Sequence, residues 1–266
     1  MNQIEQYLRP STLQEAYEAL QRKNSAVLGG MLWLRLGSRR ISTAIDLSDL
    51  GLTRIEDDGE CWRMGAYTSL RALEMDEKLN DWSGGLFAKA LAPIVGVQFR
   101  NMATVGGSVF GRFGFSDVIT ALLAMDATVV LYKTGEVKLE QFCRMGQVRD
   151  ILTHVRIPKA PLLLSYQAQR NSATDIPVLN VCAARREDEW AITVGARPLQ
   201  AVLYRISADN CADAQTIADR VADETVFAAN TRASEEYRRH LCGVLVRRAV
   251  EEIMRKTEEN TVWKSL

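Results

Sequence analysis

The chain has 266 residues, 33 basic and 33 acidic side chains and a formal net charge of zero. That balance argues against a nucleic-acid or anionic-membrane surface, either of which needs an excess of Lys and Arg. Hydrophobic content of 47% and charged content of 25% are ordinary for a globular chain with a sizeable core and room for two modest domains. No apolar run approaches bilayer-spanning length, and the polar start Met1–Gln6 lacks the apolar region of a signal peptide. The expectation is therefore cytoplasmic. Zero net charge disfavours colloidal solubility, which suits a chain that buries surface in a partner.

The five cysteines, Cys61, Cys143, Cys182, Cys211 and Cys242, are scattered and never in Cys-x-x-Cys spacing. They offer no zinc or iron–sulfur motif and read as small buried hydrophobes in a reducing compartment. The two histidines, His154 and His240, have no serine or cysteine and carboxylate in a catalytic arrangement. No catalytic residue and no metal ligand is assigned.

In chain order, Ser11 opens a helix with Gln14 as its capping-box partner, and Leu13, Ala16, Tyr17 and Leu20 follow at helical spacing. Ser25–Leu28 reads as a short buried strand, Gly29-Gly30 as a turn, and Leu32–Leu36 as one helical turn over a ligand. Ala44–Leu47 reads as the next strand, which closes a small α/β unit of the first 55 residues or so. Asp57-Asp58-Gly59 is a turn and Cys61–Ala66 a strand. Helices are expected over Ser69–Leu79 and Leu86–Val95, the latter broken by Pro93 and Gly96. Gln98–Asp117, with glycines at 106, 107, 111 and 114, reads as a loop able to hold phosphate, because glycine backbone approaches a ligand closely and successive N–H groups can cradle an anion. Ser116 caps an apolar, buried helix from Asp117 to Met125, and Asp117 suits its positive end. Thr128–Tyr132, Val137–Leu139 and Asp150–Ile157 are strands of a mostly antiparallel unit. Pro158-Lys159-Ala160-Pro161 marks a boundary. Beyond it lie strands Leu162–Ala168, Val178–Ala184 and Trp190–Val194, then helices Ala212–Val221 and Ser234 to beyond Ile253, which is an α+β order.

Three segments carry a resemblance. Arg100-Asn101-x-Ala-Thr-x-Gly-Gly, followed by Asp117 and an apolar helix ending Ala124-Met125-Asp126-Ala127, resembles the FAD-binding medium subunit of the molybdenum hydroxylases, the family of xanthine dehydrogenase and carbon monoxide dehydrogenase. Gly29-Gly30 is similar to that family's first flavin loop. Arg232-Ala-Ser234-Glu-Glu-Tyr237-Arg238 resembles its C-terminal signature.

The resemblance implies an α+β chain with a two-subdomain FAD-binding fold shared with vanillyl-alcohol oxidase-like flavoproteins. Residues 1–160 would be the FAD-binding domain, with subdomains of about 1–55 and 56–160. Residues 161–266 would form a C-terminal domain with a three-stranded antiparallel sheet and helices. It implies FAD held by Val27, Leu28, Gly29, Gly30, Met31, Leu32 and Trp33 in the first loop, and by Ala103, Thr104, Gly106, Gly107 and Ser108 in the second. The two Gly-Gly turns would be paired backbone cradles for the diphosphate, with the Thr104 hydroxyl donating to phosphate. Asp117 would accept from cofactor hydroxyls, Ile94 would pack near the flavin ring, Leu152 would line the adenine side, and Gln167 stands where some members carry lysine. Arg100 is expected to fix the loop. Phe110, Phe113 and Phe115 read as core or interface.

The implied function is an oxidoreductase subunit in a hetero-oligomer. It would take electrons from the 2Fe–2S clusters of a small partner chain, reduced by a molybdopterin-binding large chain, and pass them to an acceptor such as NAD. The sequence departs from the family at Met31 and Leu32, where polar residues are usual, at Ser108, where asparagine is usual, and at Gln167. These departures keep the backbone donors and motivate an alternative, a scaffold subunit with weakened or lost FAD binding. A free-standing flavin reductase, with Tyr67 or a glutamate as its acid or base, is the other alternative.

Overall fold

The first element of the computed structural model, which describes residues 2–160, 162–208 and 213–264 and side chains through Glu258, is a strand that hydrophobic periodicity does not reveal. β1 (Gln3–Leu8) is exposed along nearly its whole length. It pairs in parallel with β3 (Arg40–Asp46), which pairs in parallel with β2 (Ser25–Leu28) on its other side. Between β1 and β2, α1 (Leu13–Gln21) lays Ala16, Ala19 and Leu20 against Ile45 and Leu47. Its cap is one residue later than expected. Thr12 accepts from the Glu15 N–H at 3.1 Å, and Glu15 reaches back to the Ser11 N–H at 2.8 Å. With the cap at Thr12, Glu15 rather than Gln14 stands three residues on, the position from which a side chain reaches back over the helix start.

The chain divides into two compact units. The first comprises Met1–Leu73, Gly96–Gly111 and Asp126–Lys159, and the second comprises Glu74–Val95, Arg112–Met125 and Ala160–Leu266. The 1–160 and 161–266 division follows chain order, whereas two internal segments of 1–160 pack with the C-terminal sheet.

The first unit also holds an antiparallel sheet ordered β4 (Ile55–Asp57), β5 (Cys61–Gly65), β8 (Leu152–Pro158), β6 (Thr128–Leu131) and β7 (Gly135–Lys138). In the segment expected to be one helix from Ser69 to Leu79, the chain makes two. α2 (Leu70–Met75) stops at Asp76, whose carboxylate caps α3 (Glu77–Ser83) by accepting from the Leu79 N–H at 2.8 Å. A local side chain that bonds backbone N–H groups restarts the helix. α4 (Leu86–Leu91) ends before Pro93, as expected of proline.

The segment 98–117 is not an open loop. It folds as α5 (Val97–Met102) and α6 (Val105–Phe110) before the capped α7 (Asp117–Ala124). α8 (Leu139–Arg144) was not foreseen.

In the second unit β9 (Leu163–Gln169), β10 (Leu179–Arg185), β11 (Glu189–Gly195) and β12 (Val202–Ser207) form an antiparallel meander. The sheet has four strands rather than the three expected, because β12 is a half-exposed edge with weak alternation. α9 (Ala214–Glu224) and α10 (Glu235–Lys264) pack on it through Ile217, Val221, Leu245, Val246 and Ile253. α7 packs against β10 and β11, and α4 against β9. β10 is thereby buried along almost all its length, and its mostly apolar run, interrupted by the buried Asn180, reflects cover on two faces. The Ala212 start expected for α9, Pro161 of the boundary and Cys211 lie outside the described residues.

Candidate functional site

β2 delivers the first glycine turn to a fixed place. Its last residue, Leu28, pairs with Asp46 of β3, and the Tyr67 hydroxyl donates to the Leu28 carbonyl while accepting from the Leu47 N–H. Both hydrogen-bonding roles of that hydroxyl are spent on backbone. Burial also pushes the phenol up to about 12, so it is unsuited to acid–base work near neutral pH.

Beyond Leu28 the backbone enters the left-handed region twice in succession, at Gly30 (φ +77°) and Met31 (φ +61°). Glycine tolerates this freely, whereas methionine costs about 1–2 kcal/mol there. The N–H groups of Gly29, Gly30, Met31 and Leu32 make no hydrogen bond to any described residue, although the four residues are half-buried or buried. Buried or half-buried donors normally find a partner. Four unspent donors in a row, in a turn without side-chain cations, fit a phosphate.

The second Gly-Gly pair lies against the first. A Cβ on Gly29 would meet the Gly107 Cα at 3.2 Å and Thr104 Oγ1 at 3.3 Å, one on Gly107 would meet the Gly29 carbonyl oxygen at 2.7 Å, and one on Gly30 would lie 2.0 Å from the Met102 carbonyl oxygen. These are glycines because backbone packs on backbone.

The expectation of a second N–H cradle is corrected by the hydrogen bonds. The Gly106 N–H donates to the Ala66 carbonyl at 2.8 Å, that of Gly107 to Thr104 Oγ1 at 3.0 Å, and that of Ser108 to the Thr104 carbonyl at 3.0 Å. Gly106 and Gly107 are the first turn of a capped helix, with their donors spent, and their part is to seat the Gly29–Leu32 turn. The Thr104 hydroxyl accepts from Gly107 and keeps its own proton for another acceptor. Ser108 Oγ donates to the Thr104 carbonyl at 2.9 Å.

The other expected residues are placed as follows. In the first unit Val27 lies in β2 and Trp33 is 46% exposed just past the turn. Arg100 is buried within α5 and Ala103 is buried at its C-terminal end, and Leu152 is a buried residue of β8 paired with Leu131. The second unit holds Ile94, Asp117 and Gln167. Ile94 precedes Val95, a β-branched residue at φ +50° and 49% exposed, a strained position with no signal in local sequence.

Asp117 is the first residue of α7 with its side chain 7% exposed. Its Oδ1 accepts from Arg170 Nη2 at 2.6 Å, from the Tyr166 hydroxyl and from Asn180 Nδ2 at 3.2 Å. Gln167 Nε2 donates to Glu252 Oε2 at 2.8 Å, an oxygen that also accepts from Ser165 Oγ at 2.9 Å and Lys89 Nζ at 3.1 Å. Burial works against the Glu252 carboxylate, but donation from Lys256, Ser165 and Lys89 holds it below the ordinary range. Among the described residues no group of three or more His, Cys, Asp and Glu is placed to hold a metal. None of their helices is long and apolar enough to cross a membrane.

Residues 2–160 match the family described as the FAD binding domain in molybdopterin dehydrogenase. Over 253 residues the chain is 25% identical to the Escherichia coli (strain K12) protein YgfM, described as uncharacterized, covering 91% of this chain and 94% of that one. The fold is similar to a chain of carbon monoxide dehydrogenase from Hydrogenophaga pseudoflava (TM-score 0.81, 19% identity, 94% of this chain and 96% of that chain). It is equally similar to a chain of quinoline 2-oxidoreductase from Pseudomonas putida 86 (TM-score 0.81, 18% identity, 94% and 97%). A chain of CO dehydrogenase from Oligotropha carboxidovorans follows at 0.77 and 20%, over 94% and 97%. The family match spans more than half of the chain. The chain therefore belongs to the family of FAD-binding domains of the molybdopterin dehydrogenases.

Proposed function

We propose that this chain is the electron-transfer subunit of a hetero-oligomeric molybdenum hydroxylase. In this reading it receives electrons from 2Fe–2S clusters in a small partner chain, fed by a molybdopterin-binding large chain, and delivers them to an acceptor such as NAD. FAD, when bound, supplies both one- and two-electron redox chemistry, and the protein supplies position and electrostatics.

The observation that carries the reading is the Gly29–Leu32 turn. It has four consecutive N–H groups without a described partner, and glycine contacts hold it against Met102, Thr104 and Gly107. These donors would hold an FAD phosphate, with the Thr104 hydroxyl proton as a further donor. The reading of Asp117 as an acceptor toward a cofactor hydroxyl rests on the resemblance; its Oδ1 is filled from the protein and its Oδ2 meets no described donor. The roles of Ile94, Leu152 and Gln167 rest on the resemblance.

The test is titration of the purified chain with FAD, followed by flavin absorbance and fluorescence, together with affinity capture of the chain from cells that express its neighbouring reading frames. Saturable binding and co-capture of a cysteine-rich chain and a molybdopterin chain are expected. A folded chain that takes up no FAD alone or with those partners would overturn the proposal.

A further inference from the structure

Asp117 stands at one end of a chain of polar contacts within the second unit that reaches the C-terminal Arg232–Arg238 segment. Arg170 uses its two terminal nitrogens on different targets. Nη2 donates to Asp117 Oδ1 at 2.6 Å, and Nη1 to the Asp175 carbonyl at 2.6 Å. The Asp175 carboxylate accepts from Arg232 Nη2 at 3.0 Å and from the Ile176 N–H at 2.7 Å. Donation from Arg232, then from that N–H, holds its carboxyl below the ordinary range. The Arg232 N–H donates to Asn230 Oδ1 at 2.9 Å, and the same oxygen accepts from Arg238 Nη2 at 2.6 Å.

Arg238 is 1% exposed. Its Nη1 donates to the carbonyls of Val178 (3.3 Å) and Ala196 (3.1 Å), and it meets no described carboxylate. A guanidinium buried without a counter-ion is expensive. Here it ties the loop at 230 to the ends of β10 and β11.

At the other end the bonds to Asp117 are one-sided. Three donors converge on Oδ1, while Oδ2 meets no described donor. Burial, followed by the Asp117 charge, raises the Tyr166 phenol well above its ordinary value, so that hydroxyl remains a donor. An ionised carboxylate offers about four acceptor positions. Filling one oxygen from the protein leaves the other for a ligand hydroxyl.

From this arrangement we infer that Arg170 and Arg232 are positioning residues for Asp117, and that the C-terminal segment acts on the cofactor through Asp175 and Arg170 without touching it. The inference rests on the reading of Asp117 as an acceptor toward FAD.

It is tested by FAD titration of the full chain and four variants, Asp117→Asn, Arg232→Gln, Arg232→Lys and the double variant Asp117→Asn/Arg232→Gln, well below their melting temperatures. Loss of one charge-assisted hydrogen bond corresponds to about tenfold in affinity or more. Asp117→Asn is expected to weaken FAD binding at least about tenfold on that scale, and Arg232→Gln to weaken it by up to about tenfold, with Lys restoring most of the loss. In the Asp117→Asn background, Arg232→Gln should add less than about twofold, because coupled sites are not additive. Unchanged binding by Asp117→Asn would remove the reading of Asp117. Weakened binding there, but either no effect of Arg232→Gln or the same factor in both backgrounds, would overturn the positioning role and leave a purely structural one. Where Arg232→Gln fails to fold, Asp175→Asn weakens the same contact from the other side and is judged by the same non-additivity.

Discussion

Replacing Gly30 by alanine separates the two things that glycine does. The new Cβ would lie 2.0 Å from the Met102 carbonyl oxygen, whereas real Cβ contacts stay beyond 3.0 Å. Backbone on one side or the other must therefore move by about 1 Å. Overpacking of this kind costs about 1–3 kcal/mol. A left-handed φ of +77° costs a non-glycine residue about 1–2 kcal/mol more. A total of about 2–5 kcal/mol is a large share of the roughly 5–15 kcal/mol that holds a domain together. It corresponds to a fall in melting temperature of roughly 4–20 °C. The displaced turn carries the unspent N–H groups with it, so FAD affinity should fall about tenfold or more for each charge-assisted hydrogen bond lost. Gly59→Ala is the control. Its φ is +91° and nothing lies within 4 Å of the new methyl, so it pays only the strain of about 1–2 kcal/mol and should leave FAD binding alone. Thermal melting and FAD titration of both variants decide the matter. If Gly30→Ala melts no lower than Gly59→Ala and binds FAD like the parent, the account of the turn is wrong.

Thr104→Val removes the cap that accepts from the Gly107 N–H and should cost about 1 kcal/mol together with some FAD affinity. Thr104→Ser should keep both, and equal behaviour of the two variants in melting and titration would refute the role of the hydroxyl. Val95 is strained at φ +50° and half-exposed, so Val95→Gly should raise the melting temperature, gaining about 1 kcal/mol; an unchanged or lower value would contradict the strain argument. The third concerns pH. Burial, then the Arg63 charge, lowers the His154 imidazole below its ordinary 6.5, so near that pH the folded state binds fewer protons than the unfolded one. The resulting stability is fully present above about pH 6.5 and is lost as pH falls from there through the folded value. Denaturant midpoints between about pH 5 and 8 should slope less for His154→Gln than for the parent, and parallel slopes would exclude His154 as the cause.

Local sequence determined much of this chain. Proline ended α4, Ser116 capped α7, and the apolar runs that became β10 and α7 were legible because their burial is nearly complete. The two Gly-Gly pairs were legible as special backbone. β1 and β12 were not, because an edge strand with exposed side chains carries no alternation to detect. Which glycine pair keeps its donors was decided by tertiary structure alone. Gly106 and Gly107 spend theirs on Ala66 and Thr104, and Gly29 and Gly30 find no acceptor among the described residues, yet both pairs read alike in one dimension. The partners of Asp117 were hidden for the same reason. Arg170 and Asn180 are distant in sequence and meet it only because α7 packs on the four-stranded sheet. Sequence fixes a residue's chemistry and its local turn, but a hydrogen bond needs an acceptor within about 3 Å, and long-range packing decides where that acceptor lies.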